Sequence, residues 1–199
     1  GIINNCYATG RVSSDYGAGG LAGYNSSGKI NNSYAAVDVS GIQNVGGMIG
    51  SNSYGTVTNG YATGSVTASD KYVGGLVGYS YNGTITNSYA TGSVSGVSYS
   101  GGLVGYSILL TVENSFWNKE TTGQARSADS DASYGKTTDE MKTAATFTDA
   151  GWDFKDETDN GTDDIWTINS TDNGGYPELA WQGYANVLPP TYSGGSGTE

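Results

Sequence analysis

Sixteen tyrosines, nineteen carboxylates, one cysteine and no histidine set what this 199-residue chain can do chemically. Without histidine there is no Ser–His or Cys–His nucleophile pair and no imidazole-held zinc. The carboxylates leave two options, calcium ligation and glycoside hydrolysis by a carboxylate pair. The densest acidic run is Asp156-Glu-Thr-Asp-Asn-Gly-Thr-Asp-Asp164. Oxygen donors spaced around a glycine turn suit calcium, so Asp156, Asn160, Asp163 and Asp164 are candidate ligands of a structural calcium, the one cofactor expected. The twelfth position of such a loop is Thr167, where a bidentate glutamate belongs, and a plain acidic loop is the competing reading. The tyrosines offer a different chemistry. Tyr16, Tyr54, Tyr72, Tyr81 and Tyr99 stand between recurring phrases, in variable loops, where their rings can stack on sugars.

Charge is unevenly spread. Residues 1–110 hold three acids and three bases, whereas residues 111–188 hold fifteen acids against five bases. A neutral region joined to an acidic one implies two units, and neither has the clustered basic patch that nucleic acid or an anionic membrane requires. The longest apolar run, Ile108-Leu109-Leu110, is too short to insert in a bilayer. A single cysteine fits an exported protein. No basic segment followed by an apolar one opens the chain, so it reads as a mature or excised piece of a longer polypeptide.

These residues are positioned by a repeat. Gly1-Ile-Ile-Asn-Asn-Cys-Tyr-Ala-Thr-Gly10 returns as Gly28-Lys-Ile-Asn-Asn-Ser-Tyr-Ala-Ala-Val37, Gly55-Thr-Val-Thr-Asn-Gly-Tyr-Ala-Thr-Gly64 and Gly83-Thr-Ile-Thr-Asn-Ser-Tyr-Ala-Thr-Gly92, then decays to Thr111-Val-Glu-Asn-Ser-Phe-Trp117. Between copies a second phrase recurs, Gly19-Gly-Leu-Ala-Gly-Tyr24, Gly46-Gly-Met-Ile-Gly-Ser51, Gly74-Gly-Leu-Val-Gly-Tyr79 and Gly101-Gly-Leu-Val-Gly-Tyr106. β-Branched residues and tyrosines alternate with Ser, Thr and Asn between glycine turns, which excludes helical pairs, and the unit has too few leucines for a leucine-rich repeat. An all-β, right-handed parallel β-solenoid (β-helix) of 27–28-residue coils follows, with coils about 4.8 Å apart. Stacking then turns the columns of the repeat into physical objects. Asn5, Asn32, Asn59, Asn87 and Asn114 form an asparagine ladder, each amide bonding the next at a corner. Ile3, Ile30, Val57, Ile85 and Val112 form an aliphatic strip, Leu21, Met48, Leu76 and Leu103 another, and Tyr7, Tyr34, Tyr61 and Tyr89 a stack of rings. The paired glycines supply positive-φ or close-approach backbone at corners, and Cys6 replaces Ser33, Gly60, Ser88 and Ser115 in a small-residue column, so it is no nucleophile. Asp15, Asp38 and Asp70 do not keep the period and do not form one catalytic site.

Residues 74–94, Gly-Gly-Leu-Val-Gly-Tyr followed by Asn-Gly-Thr-Ile-Thr-Asn-Ser-Tyr-Ala-Thr-Gly-Ser-Val, resemble the GLUG-motif repeats. That family occurs in large secreted or surface-anchored bacterial proteins, adhesin-like proteins and accessory regions of some immunoglobulin A peptidases among them. The resemblance spans residues 1–110. It implies a piece of a longer extracellular bacterial chain and brings no catalytic motif. The second copy departs most, with Val37 for glycine and Ser51 for tyrosine. Residues from Ser115 to Asn169 resemble the region that closes such arrays, and Tyr192-Ser-Gly-Gly-Ser-Gly-Thr-Glu199 is similar to the phrase that opens a further one.

The expected organisation is four coils over 1–110, an acidic, aromatic-rich capping region over 111–188, and a Pro/Gly/Ser linker over 189–199 toward a further domain. All four tryptophans lie in the capping region, and Thr137-Thr-Asp-Glu140 is a capping box that predicts one short helix at 138–147. The function expected is non-catalytic: a structural or adhesive module, secreted or displayed at a bacterial surface. Its partners would be a host or matrix surface, a glycan, and adjacent domains of its own chain. The alternatives are a carbohydrate-binding module using the loop tyrosines, a polysaccharide-degrading β-helix enzyme, and, on Thr56/Thr58 and Thr84/Thr86, an ice-binding face.

Overall fold

The computed structural model describes residues 1–128 and 132–186. Short strands broken by glycine turns have too little apolar surface to form a conventional core, and they bury it instead by stacking each coil on the next. The strands Tyr7–Gly19 and Lys29–Gly46 pair in parallel with Tyr7 opposite Tyr34 and Val12 opposite Val39. The same register continues through Tyr34, Tyr61, Tyr89 and Phe116, and through Ile3, Ile30, Val57, Ile85 and Val112. The fold is an all-β parallel solenoid. Met48, Leu76 and Leu103 are fully buried in its core, linked by backbone bonds from Met48 N–H to Leu76 O and from Leu76 N–H to Leu103 O. Parallel pairing runs past residue 110, because Thr111–Glu113 and Phe116–Asn118 pair with the coil before them as a fifth, partial coil.

Each complete coil turns at three residues of left-handed backbone, and these also form columns. One is Asn5, Asn32, Asn59, Asn87 and Asn114; the others are Gly17, Asn44, Tyr72 and Tyr99, and Ser27, Tyr54, Asn82 and Leu109. Asparagine tolerates this conformation better than most residues, which explains the conserved register of the first column. Its side chains do less than expected. The Asn59 amide donates to Asn32 Oδ1 at 2.9 Å, but Asn87 Oδ1 is buried without a partner. A continuous amide ladder is therefore not what holds this column; the backbone angle is. Asn59→Leu should cost roughly 1–3 kcal/mol, from a branched side chain at left-handed φ and one lost hydrogen bond. Asn59→Gly should cost less than half as much, and equal melting shifts for the two variants would contradict the backbone explanation.

Two further columns carry side-chain ladders. Asn25 donates to Asn52 Oδ1 at 2.8 Å inside the solenoid, and each amide also reaches a turn carbonyl, Gly28 O and Gly55 O. In the column of Cys6, serine hydroxyls accept backbone N–H groups from the preceding coil: Cys6 N–H to Ser33 Oγ, Gly60 N–H to Ser88 Oγ, and Ser88 N–H to Ser115 Oγ. The single 28-residue step is also explained. Gly41 pairs with Ala68 but Gln43 with Lys71, so a bulge at residues 69–70 absorbs the extra residue.

The glycine phrase works by close approach, not by positive φ. A Cβ on Gly47 would sit 2.2 Å from Gly75 O, and one on Gly50 2.5 Å from Gly17 C. Both positions press one stretch of backbone against another, which only glycine permits.

The C-terminal region differs from a simple end cap. Helix α1 (Lys119–Thr122) and the segment after it close the last coil: Trp117 is fully buried, its indole N–H donates to Gln124 O, and Gly102 N–H donates to Arg126 O. The remainder folds back along the flank of the solenoid over the tyrosine column. Tyr61, Tyr89 and Phe116 share a second core with Phe147, Trp152, Phe154, Trp166 and Leu179. The helix expected at 138–147 is two, α2 (Thr138–Met141) and α3 (Ala144–Thr148), so among the described residues the region holds three short α-helices in place of one. The capping box is present, but Thr143 is extended (φ −110°, ψ 119°) and interrupts the run. The linker at 189–199 lies outside the described residues.

Candidate functional site

Two rows of tyrosine have opposite fates. The Tyr7, Tyr34, Tyr61 and Tyr89 rings stack face to face, with centroids 4.9–5.3 Å apart and planes within 9°. The flank roofs Tyr34, Tyr61 and Tyr89, while Tyr7 at the end of the stack stays exposed. Trp152 donates to Asn114 O, Trp181 to Asn32 O, Tyr61 to Gln182 Oε1 and Tyr89 to Pro177 O. Burial holds the Tyr61 and Tyr89 phenols well above the ordinary value. This row is structural.

The second row stands on a solenoid edge in the third and fourth coils. The Tyr72 ring lies 5.3 Å from Tyr99, 5.0 Å from Tyr106 and 5.8 Å from Tyr79. Tyr79 and Tyr106 face one another across one coil step at 6.0 Å and 20°, and Tyr99 meets Tyr106 nearly edge-on at 5.2 Å. Lys71 Nζ lies 5.3 Å from the centre of the Tyr72 ring. Partial burial, then the neighbouring Tyr106 and Tyr72 phenols, raises the Tyr79 pKa.

Of the five tyrosines singled out in the sequence, the structure gathers Tyr72 and Tyr99 into this cluster. Tyr54 and Tyr81 form a separate edge-on pair at 5.3 Å, while Tyr16 is exposed beside Gln43. Tyr79 and Tyr106 were missed because they end the glycine phrase and read as part of the repeat. Ser51 fills the same column and is buried, so the spacing carried no signal that these rings gather at one edge.

The acidic loop uses its carboxylates on its own backbone. Glu157 accepts the Asp159 and Asn160 N–H groups, and Asp153 Oδ2 accepts Asp163 N–H. Asn160 donates its amide to Thr148 O, and Asp156, Asp163 and Asp164 are exposed. Among the described residues no three acidic side chains converge as a metal site would require. Asp163 and Asp164 instead line a cleft of about 550 Å³ with Asp172, Glu178, Lys155 and Trp181. Burial, then the Asp172 charge, raises the Glu178 pKa. Elsewhere, Asp38 is held below the usual carboxylate range by the Ser65 hydroxyl and amide, and Asp70 accepts the Gln43 amide. Among the described residues no helix is long and apolar enough to cross a membrane.

The profile of the GLUG motif matches residues 14–40 and 69–95, so the chain carries GLUG repeats. No curated protein matches it significantly in sequence. A solved structure of a candidate immunoglobulin A1 protease from Bacteroides ovatus has a similar fold, with a TM-score of 0.65 and 24% identity over 91% of this chain. The match spans 58% of that protein's chain.

Proposed function

We propose that this chain is a non-catalytic, stiff module of a larger bacterial protein that is secreted or displayed at the cell surface, where it spaces and presents other parts of that protein. The observation that carries this reading is the uninterrupted register of the coil columns from Ile3 to Val112 and from Tyr7 to Phe116, reinforced by a flank that bonds to several coils at once. Parallel stacking couples every coil to its neighbours, so resistance to bending grows with each coil added. The GLUG repeats are a structural motif of larger proteins, which fits this role. The acids support it too. Asp38, Asp70, Asp153 and Glu157 each accept a hydrogen bond that fixes local structure.

Incubation of the protein with a panel of polysaccharides and peptides, with and without calcium, should give no products. Product formation abolished by Glu178→Gln or Asp172→Asn would make the acidic cleft an active site and overturn the proposal.

A further inference from the structure

We infer that the edge bearing Tyr72, Tyr79, Tyr99 and Tyr106 is a binding face for an extended, neutral glycan lying along the solenoid axis. Tyr72 and Tyr99 have φ of 63° and 52°, at a corner where the first two coils place Gly17 and Asn44. Left-handed backbone is the rule at coil corners, bulky Tyr54 and Leu109 included, so the angle places these rings at the corner and does not by itself mark function. Tyr99 remains 55% exposed at this corner, and Tyr72, Tyr79 and Tyr106 are half-buried around it. The rings of the Tyr7 to Tyr89 stack lie within 9° of parallel, whereas around Tyr72 the planes are splayed by 35–54°, so these rings do not close into one stack, and Tyr99 presents the most exposed of them.

The coil repeat supplies the geometry. Tyr72 with Tyr79 and Tyr99 with Tyr106 occupy the same two columns one coil apart, tilted by 54° in one pair and 76° in the other, and along each column the rings stand 5.3 Å and 6.0 Å apart, comparable to the length of a single pyranose. Successive sugars of an extended chain could thus meet successive pairs, their C–H faces on the rings and their hydroxyls against the phenol oxygens. The charge around the cluster points to a neutral ligand. Residues 1–110 have no net charge, Lys71 is the cation beside the rings, and Asp70 is engaged by Gln43. An anionic glycan would find no basic track to follow.

The second coil provides the test, because it carries Asn44 and Ser51 where the third carries Tyr72 and Tyr79. The whole chain should be retained at physiological salt on at least one insoluble neutral polysaccharide among cellulose, chitin, starch and mannan. The double variant Tyr72→Asn/Tyr99→Asn should bind roughly 5- to 50-fold more weakly. Tyr79→Ser should weaken binding independently, and Tyr16→Ser should leave it unchanged. All these variants should melt close to wild type, since Asn and Ser already occupy these columns. Absence of retention on every neutral polysaccharide, full retention by both the double variant and Tyr79→Ser, or binding confined to heparin and abolished by salt would each overturn the inference. None of these results bears on the stiff-module reading, which turnover alone would overturn.

Discussion

Trp152→Ala should release the flank from the solenoid while the coils stay folded. Trp152 is fully buried, with Trp166 at 4.6 Å and Phe147 at 4.8 Å, and its indole N–H donates to Asn114 O on the fifth coil. Truncation therefore empties the centre of the second core and deletes a bond that ties the flank to the stack. Replacing a buried tryptophan by alanine costs about 3–5 kcal/mol. That loss falls on a small unit of short helices, short strands and acidic loops, which has little other apolar surface to retain it. The solenoid keeps its own core of Ile30, Met48, Leu76, Ile85 and Leu103, none of which belongs to the second cluster. Tryptophan fluorescence should then report an early transition, with far-UV circular dichroism following at the temperature of the coils. Limited proteolysis should cut first between residues 132 and 183. Coincident transitions in the variant would mean that flank and solenoid form one cooperative unit.

The sequence discloses those parts of the fold that repeat. A column such as Ile3, Ile30, Val57, Ile85 and Val112 can be read off the chain because parallel stacking places identical residues in contact, so periodicity in sequence becomes neighbourhood in space. The flank has no such relation. Trp181 bonds Asn32 across 149 residues, and nothing in the spacing of either marks the other as a partner. What the sequence does hold is a placement conflict: four tryptophans lie in a segment too long for one end cap, beside a tyrosine column with nothing assigned to cover it. The outward tyrosines were partly legible for a similar reason. Tyr72 and Tyr99 break the repeat and stand out, whereas Tyr79 and Tyr106 obey it and are hidden by it. The asparagine column misleads in the opposite direction, since identical amides in register suggest a ladder even where the common requirement is a left-handed backbone angle.

Gly75→Ala should be among the most damaging single changes in the solenoid, for a reason unrelated to glycine's freedom of φ. A Cβ at this position would lie 2.2 Å from Gly102 O and 2.8 Å from the Ala90 Cβ, closer than real Cβ atoms come to either. The first obstacle is backbone of the next coil, and it cannot turn aside as a side chain can. Gly75 N–H donates to Gly101 O, so moving the coils apart to admit one methyl group stretches the same ladder that holds them together. Overpacking ordinarily costs 1–3 kcal/mol where neighbours can adjust. Here the adjustment would propagate through coils locked in register, and a loss of at least about 3 kcal/mol is expected. Gly10→Ala is the matched comparison: Gly10 has φ 110° and nothing within 4 Å of its would-be Cβ, so its penalty is backbone strain alone. Thermal melts of the two variants separate the causes. A large drop for Gly75→Ala beside a small one for Gly10→Ala places the constraint in the contact between coils. Equal drops would assign it to backbone conformation, and the glycine phrase would then need another explanation than the distance at which one coil meets the next.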